Sequence, residues 1–198
     1  MAADAIVFDV DGTLWDSAPF FSAVLGDLAG VPHEALSRKL LRGESIVTLV
    51  IQHGVSRQMF RRACVERSEE LDLFDGIEET LGRLRTGRVP IGIVTSLPGE
   101  MILIPLLEAK DLVQLFGSVI HAGNCRLRKP NPTGLRSSLS AIEVRPTESV
   151  FYIGDRDVDQ QTAANAGVSF GWASWGYQHE RPAGTTTVLS TAAEILAL

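Results

Sequence analysis

The chain has 198 residues, 45% of them hydrophobic, and a formal net charge of −6 at pH 7. This length suits one α/β domain that carries an insertion, or one domain with a small second one. The acidic balance argues against nonspecific nucleic-acid binding, in which lysine and arginine side chains meet phosphates. The sequence has no apolar run of about 18 residues that could span a membrane, and its first strand begins too early to leave room for a signal peptide. We therefore expect a cytoplasmic protein that binds neither nucleic acid nor membrane.

The most informative segment is the apolar run from Ala5 to Phe8, which is followed at once by Asp9 and Asp11. A continuous apolar run is typical of a buried parallel strand, and ligands bind beyond the carboxyl ends of such strands. Two carboxylates this close need a cation or a shared proton if they are buried, and Mg²⁺ prefers such oxygen ligands. A solvated turn is the other interpretation. A calcium loop is excluded because Gly12 directly follows Asp11.

The next part of the chain is helical in character and has no strand pattern. Ser17 is a candidate cap for a helix through about Leu28, and residues 57–71 place apolar side chains among charges at helical spacing. We therefore predict a small all-helical module, residues 15–74, inserted into an α/β core formed by residues 1–14 and 75–198.

From residue 75 onward, predicted helices and strands alternate. Helices are predicted at about 78–84, 99–109, 131–141 and 157–166, and strands at 89–94, 119–121, 149–153 and 168–171, the last of these as the final core strand. This alternation is typical of an α/β fold with a doubly wound parallel sheet.

Polar side chains follow the later strands as well. Thr95 and Ser96 follow the second strand, Lys129 follows the third, and Asp155 and Asp159 follow the fourth. Because the carboxyl ends of parallel strands share one edge of the sheet, these residues can converge on one cleft. Carboxylates, hydroxyls and a lysine are the groups that phosphoryl transfer requires. Ser96 is the better candidate for a helix cap, which would leave Thr95 free for phosphate.

These residues resemble the four ordered motifs of the haloacid dehalogenase superfamily. The likeness is closer to its phosphoglycolate-phosphatase-like members, which carry a helical cap after the first motif. The segments that carry it are Asp9-x-Asp11-Gly12-Thr13, Thr95, Lys129-Pro130, Gly154-Asp155-x-x-x-Asp159, Asn165-Ala166-Gly167 and Trp175-Gly176-Tyr177.

The resemblance implies a Mg²⁺-dependent reaction. Asp9 would be the nucleophile, and Asp11 would be the acid that protonates the leaving oxygen and the base that later activates water. Mg²⁺ would be held by Asp9, by the backbone carbonyl of Asp11 and by Asp155, with Asp159 supporting its water shell.

The resemblance also implies a site for the phosphoryl group. Thr95 and Lys129 would bind it, with Gly12 and Ser96 as further candidates, and Lys129 would restrain Asp9 electrostatically. A surface lysine is the ordinary alternative for Lys129, and a turn hydroxyl is the alternative for Thr95.

Substrate choice is the least determined property. Arg42 and Gly43 are candidates for a substrate-facing loop of the cap, although an ordinary helix–helix turn is the favoured alternative there. Arg156 and Asp157 are interpreted as rim residues. The leading expectation is a phosphatase for a small phosphorylated metabolite, with phosphoglycolate as one candidate. A phosphosugar mutase similar to β-phosphoglucomutase, or a non-catalytic binding protein on the same fold, are the alternatives. The sequence does not reveal the oligomeric state.

Overall fold

The protein is described by a computed structural model that covers residues 3–198. Within that range the strands form one sheet whose neighbouring strands are all parallel, in the order β3-β2-β1-β4-β5-β6. The strands are β1 Ala5–Phe8, β2 Ile91–Val94, β3 Ser118–Ile120, β4 Val150–Gly154, β5 Ser169–Ala173 and β6 Thr187–Leu189. The order changes direction on either side of β1, so the carboxyl ends of β1 and β4 flank the position where ligands bind in such sheets.

Helices cover the sheet and fill the segment after β1. They are α1 Ser17–Ala29, α2 His33–Leu41, α3 Ile46–Gln52, α4 Arg57–Glu66, α5 Ile77–Thr86, α6 Ile104–Ala109, α7 Thr133–Ala141 and α8 Asp157–Ala166. The predicted α/β fold with a parallel sheet is confirmed. Among residues 3–198, no helix has both the length and the apolar character needed to cross a membrane.

Each face of the sheet has its own hydrophobic cluster. In β1, Ala5 and Val7 pack with residues of α7 and α8, whereas Ile6 and Phe8 join the cluster that contains α5 and α6. All four side chains are buried. A strand covered on both faces reads as an unbroken apolar run, and this explains why β1 could be predicted from its sequence.

The helices α1–α4 lie between β1 and α5 in the chain. The two connections to the core run side by side, because the backbone N–H of Asp16 donates to the carbonyl of Asp72 and that of Phe74 donates to the carbonyl of Leu14. Several buried side chains of α1–α4 join the larger hydrophobic cluster. Assignment of residues 15–74 to a separate cap unit stays a prediction.

Four local predictions need correction. The sheet does not end at β5, because the three-residue edge strand β6 follows it; so short a strand has no recognisable apolar run. Residues 99–109 are not one α-helix: Gly99–Leu103 is a π-helical turn and α6 begins at Ile104. Pro105 has no N–H to continue a regular hydrogen-bond ladder there.

The other two corrections concern helix caps. Asp16, not Ser17, precedes α1 as its cap residue, and no side-chain bond caps that helix. Ser96 does not cap a helix either, because the helical turn begins at Gly99 after Pro98. Oγ of Ser17 instead lies 3.3 Å from the hydroxyl of Tyr177, and Ser96 is exposed to solvent.

Candidate active site

The ends of the strands converge on one cavity of about 360 Å³. Asp9 follows β1, Thr95 follows β2, and Lys129 lies in the loop between β3 and α7. Residues 43–45 of the connection between α2 and α3, and Ile46 at the start of α3, also line this cavity. These core residues converge at the carboxyl edge of the sheet, as predicted.

Lys129 is the electrostatic centre of the site. Its Nζ donates hydrogen bonds of 2.7 Å to Oδ1 of Asp9 and of 2.7 Å to Oδ1 of Asp159. Burial alone would lower the pKa of the ammonium group, but the carboxylates of Asp159 and Asp9 outweigh it and raise that pKa above its usual range. Lys129 therefore stays charged, and the surface-lysine interpretation is wrong.

Asp9 is nearly inaccessible to solvent, with 7% of its surface exposed. Burial raises the pKa of its carboxyl, Lys129 opposes that rise, and the nearby carboxylates of Asp159 and Asp155 add to it. Among residues 3–198 the only hydrogen bond to this carboxyl goes to Oδ1, from Lys129. Oδ2 therefore keeps its lone pairs free for another partner.

Three buried carboxylates lie close enough to share a cation. One oxygen from each of Asp9, Asp155 and Asp159 lies within 4.8 Å of the others. Oδ1 of Asp155 is buried and has no hydrogen-bond partner, although buried polar atoms are normally paired. Lys129 balances one of the three charges. The donor set and the unpaired oxygen fit Mg²⁺, which prefers oxygen ligands.

Asp159 has both carboxylate oxygens engaged. Its Oδ1 also receives a 3.3 Å hydrogen bond from the hydroxyl of Tyr152, and its Oδ2 accepts one of 3.1 Å from the backbone N–H of Arg156. These bonds fix the carboxylate at the start of α8. They fit the expected supporting role better than direct contact with a cation.

Asp11 lines the same cavity, next to Asp9. Its Oδ1 accepts a 3.2 Å hydrogen bond from Nε1 of Trp15, whose ring is fully buried. Burial raises the pKa of the Asp11 carboxyl, while hydrogen bonds from Ser17 and Trp15 work against that rise. A carboxyl with a raised pKa retains its proton closer to neutral pH and suits an acid role. A metal contact through the backbone carbonyl of Asp11 stays a prediction.

The candidate phosphate ligands differ in whether their hydrogen-bond donors are already engaged within the protein. Gly12 has a φ of +80°, and its N–H donates to the carbonyl of Trp15. Oγ1 of Thr95 accepts a 3.2 Å hydrogen bond from the N–H of Leu97, which leaves the hydroxyl proton available for donation. Ser96 is exposed and lines the cavity. The roles of Gly12, Thr95 and Ser96 toward phosphate stay predictions.

The predicted substrate-facing loop is only partly at the cavity. Gly43 lies in the lining and Arg42 does not. The guanidinium of Arg156, which was interpreted as a rim group, also lines the cavity and donates from Nη2 to the carbonyl of Leu41 at 3.3 Å. Asp157 is exposed. A role in substrate choice for Arg42 and Gly43 stays a prediction.

Two tyrosines at the site were not identified as site residues from the sequence. Tyr152, within β4, donates from its hydroxyl to the carbonyl of Val94 at 2.8 Å and lies below Lys129. The backbone N–H of Tyr177 donates to Oδ2 of Asp155 at 2.8 Å. The Trp175-Gly176-Tyr177 segment was a signal for the second, whereas Tyr152 reads as an ordinary strand residue.

Comparison with known proteins identifies the family. Residues 6–173 match the family described as haloacid dehalogenase-like hydrolase. The chain belongs to the haloacid dehalogenase-like hydrolase family. This match covers most of the chain and runs from β1 to β5, so it includes Asp9, Lys129 and Asp155 but not Tyr177.

The relatives of this haloacid dehalogenase-like hydrolase include named enzymes. It is 31% identical to the phosphoglycolate phosphatase of Pseudomonas syringae pv. tomato over 196 residues, which covers 89% of this chain and 71% of that one. It is 29% identical to the Escherichia coli (strain K12) phosphoglycolate phosphatase over 209 residues, covering 88% and 82%. The structure of CbbY from Rhodobacter sphaeroides in complex with phosphate superposes with a TM-score of 0.79 at 20% identity, covering 99% and 100%. That last likeness concerns the fold alone.

Proposed function

We propose that this hydrolase is a Mg²⁺-dependent phosphatase that cleaves a small phosphomonoester through an aspartyl-phosphate on Asp9. The observation that carries the proposal is the state of Asp9: Lys129 holds one oxygen at 2.7 Å, and the other has no hydrogen bond within residues 3–198. A carboxylate with one oxygen fixed and one free is oriented for nucleophilic attack. The relatives named as phosphoglycolate phosphatases make phosphoglycolate the first candidate substrate.

In the first step the free oxygen of Asp9 attacks phosphorus, and the ester P–O bond breaks. Asp11 gives its proton to the departing alkoxide, for which its raised pKa is suited. In the second step Asp11, now ionised, takes a proton from water as that water attacks phosphorus. The Asp9 carboxylate is regenerated and inorganic phosphate is released.

The other residues of the site position the nucleophile and the phosphoryl group and balance their negative charge. Lys129 keeps Asp9 in place and provides positive charge beside the phosphoryl group. The hydroxyl of Thr95 is a donor for one phosphoryl oxygen, since its own lone pair is occupied by Leu97. Mg²⁺ held by Asp9, by the backbone carbonyl of Asp11 and by Asp155 would supply charge that balances the phosphate and the buried carboxylates. The helical segment over the cavity limits water access, as a lid does.

The test is phosphate release from a panel of small phosphomonoesters, with Mg²⁺ and with EDTA, for the wild type and Asp9→Asn. We expect Mg²⁺-dependent release that Asp9→Asn abolishes. Asp157→Asn is a matched control, because Asp157 is an exposed aspartate at the first position of α8. Full activity in Asp9→Asn would reject the proposal. Transfer of phosphate to a sugar without its release would favour a mutase instead.

A further inference from the structure

The cavity is lined by one positively charged side chain, Arg156, that the proposed reaction does not use. Of its lining residues in the described chain, Lys129 and Arg156 are the two with a permanent positive charge. Both of Lys129's close carboxylate contacts are within the reaction centre, at Asp9 and Asp159. Arg156 has one longer carboxylate contact, in which its Nε lies 3.9 Å from Oδ2 of Asp155.

We propose that Arg156 binds a second anionic group of the substrate, so that the substrate class is a short phosphate ester with a carboxylate or a second phosphate. This inference rests on the proposed phosphatase function. It assigns recognition of the second anion to a residue that lies between Asp155 and Asp159 and has no role in the proposed reaction steps.

The guanidinium of Arg156 has donors to spare. Of its five N–H groups, the one described hydrogen bond in residues 3–198 runs from Nη2 to the carbonyl of Leu41. The nearest oxygen of Asp155 already accepts the N–H of Tyr177. The group lies 5.7 Å from the ring of Tyr177, which supports it from one side. A guanidinium held in this way can offer paired N–H groups to a carboxylate or phosphate.

Its position suits a short substrate. Asp155 lies 3.9 Å from Nε of Arg156, and an oxygen of the same carboxylate lies within 4.8 Å of one on Asp9. The carboxylate of Asp155 therefore lies close to both the proposed nucleophile Asp9 and the guanidinium. On the far side, a Cβ placed on Gly43 would lie 3.3 Å from Nη1 of Arg156. Glycine at this position keeps the wall of the cavity open around the guanidinium.

A structural latch is the competing role, because the bond to Leu41 joins the core to the helical segment. The two roles predict different behaviour. A latch acts on every substrate alike, since it affects the whole cavity. An anion-binding residue acts only on substrates that carry the second anion.

The test uses three esters with the same two-carbon skeleton: phosphoglycolate, ethylene glycol bisphosphate and 2-hydroxyethyl phosphate, which lacks a second anion. We expect kcat/KM of the wild type for at least one of the two esters with a second anion to exceed that for 2-hydroxyethyl phosphate by about tenfold or more. Arg156→Gln should lower kcat/KM for that ester by about 10- to 100-fold, the range for a lost charge-assisted hydrogen bond. For 2-hydroxyethyl phosphate, which has no second anion, kcat/KM should change by less than about threefold.

Comparison of the two anionic esters tells whether the preferred group is a carboxylate or a phosphate. Arg156→Lys should restore part of the preference, because it keeps the charge without the planar donor pair. Arg38→Gln is the matched control, since Arg38 is an exposed arginine of α2 outside the cavity lining. Equal losses on all three esters, or a wild type without preference for an anion, would overturn the assignment.

A second measurement does not depend on turnover. Calorimetry measures the binding of the same three compounds to the Asp9→Asn variant and to the double variant that also carries Arg156→Gln. If the wild type releases no phosphate from any ester, the phosphatase proposal fails, and this binding series still decides the role of Arg156. Tighter binding of an anionic ester that Arg156→Gln weakens about 10- to 100-fold would support it. Binding that is unaffected by Arg156→Gln would reject it.

Discussion

Tyr177 and Asp155 are joined by a 2.8 Å hydrogen bond from the backbone N–H of Tyr177 to Oδ2 of the carboxylate. The phenol of the same tyrosine lies against the start of α1: its hydroxyl accepts the N–H of Ala18 at 2.9 Å and donates to Oδ1 of Asp16 at 3.0 Å. One residue thus contacts a candidate metal ligand through its backbone and the connection to the helical segment through its side chain.

Tyr177→Phe separates these two contacts. The backbone bond to Asp155 is retained, whereas the hydroxyl bonds to Ala18 and Asp16 are lost. We expect the free energy of unfolding to fall by about 1–3 kcal/mol, the cost of leaving part-buried polar groups unpaired, with the Mg²⁺ affinity changed by less than about threefold. Urea denaturation and calorimetric Mg²⁺ titration measure the two quantities. A large loss of Mg²⁺ affinity would show that the phenol itself supports the metal site.

Removal of Lys129 should destabilise the fold. In Lys129→Met, the buried carboxylates of Asp9 and Asp159 lose the cation that each contacts at 2.7 Å. We expect a loss of about 3–5 kcal/mol in the free energy of unfolding, the usual cost of breaking a buried ion pair from one side. The loss should be larger at about pH 9 than at about pH 6, because the pKa of Asp9 is about 8 with Lys129 in place and rises further without it, so that the folded variant keeps this proton to higher pH.

Chemical denaturation in EDTA, at both pH values, checks this prediction. Lys39→Met serves as the control, because Lys39 is an exposed lysine of α2 and makes no ion pair among the described residues. An unchanged denaturation midpoint for Lys129→Met would mean that the pair contributes nothing net to stability.

Much of this site could be predicted from the sequence because its residues follow apolar runs at fixed spacing. Asp9 and Asp155 are examples, and the structure brings them together. The prediction for Lys129 depends on the family resemblance, through its place directly before Pro130. Arg156 could not be distinguished from a rim residue, since its place depends on a contact with Leu41 across 115 positions. Tyr177 reaches Ala18 over 159 positions. Such pairings depend on how the helical segment packs on the sheet, which no local pattern encodes.

The raised pKa of Asp155 has a consequence for stability without metal. Burial raises this pKa to about 6, with the charge of Asp159 adding to the rise. Between about pH 4 and pH 6 the folded state then holds a proton that the unfolded state has lost, so this group makes the free energy of unfolding fall as pH rises. In EDTA, the stability of the wild type relative to Asp155→Asn should decrease across that range. A constant difference in denaturation midpoint would contradict it.

Mg²⁺ should reverse this trend, because it binds the ionised carboxyl and must displace the proton. We expect the rise in Tm on Mg²⁺ addition to grow from about pH 5 to about pH 7. Asp155→Asn should lose most of that rise, and Asp157→Asn should keep it. Thermal unfolding with Mg²⁺ and with EDTA at each pH is the measurement. A Tm rise that does not depend on pH, or that survives in Asp155→Asn, would place the cation elsewhere.

Substitution of Gly12 tests whether close packing or backbone conformation requires glycine at this position of the first motif. Both Gly12 and Gly30 have positive φ, +80° and +66°. A Cβ on Gly12 would lie 2.6 Å from Oδ2 of Asp155 and 2.8 Å from Cδ2 of Tyr177, whereas one on Gly30 would meet nothing within 4 Å. Gly30→Ala should therefore cost only the left-handed backbone penalty, about 1–2 kcal/mol, and retain activity. Gly12→Ala should cost more and lose both activity and Mg²⁺ affinity, because the methyl group displaces Asp155. Denaturation and Mg²⁺ titration of both variants check this, and equal behaviour of the two would show that backbone strain alone accounts for the glycine.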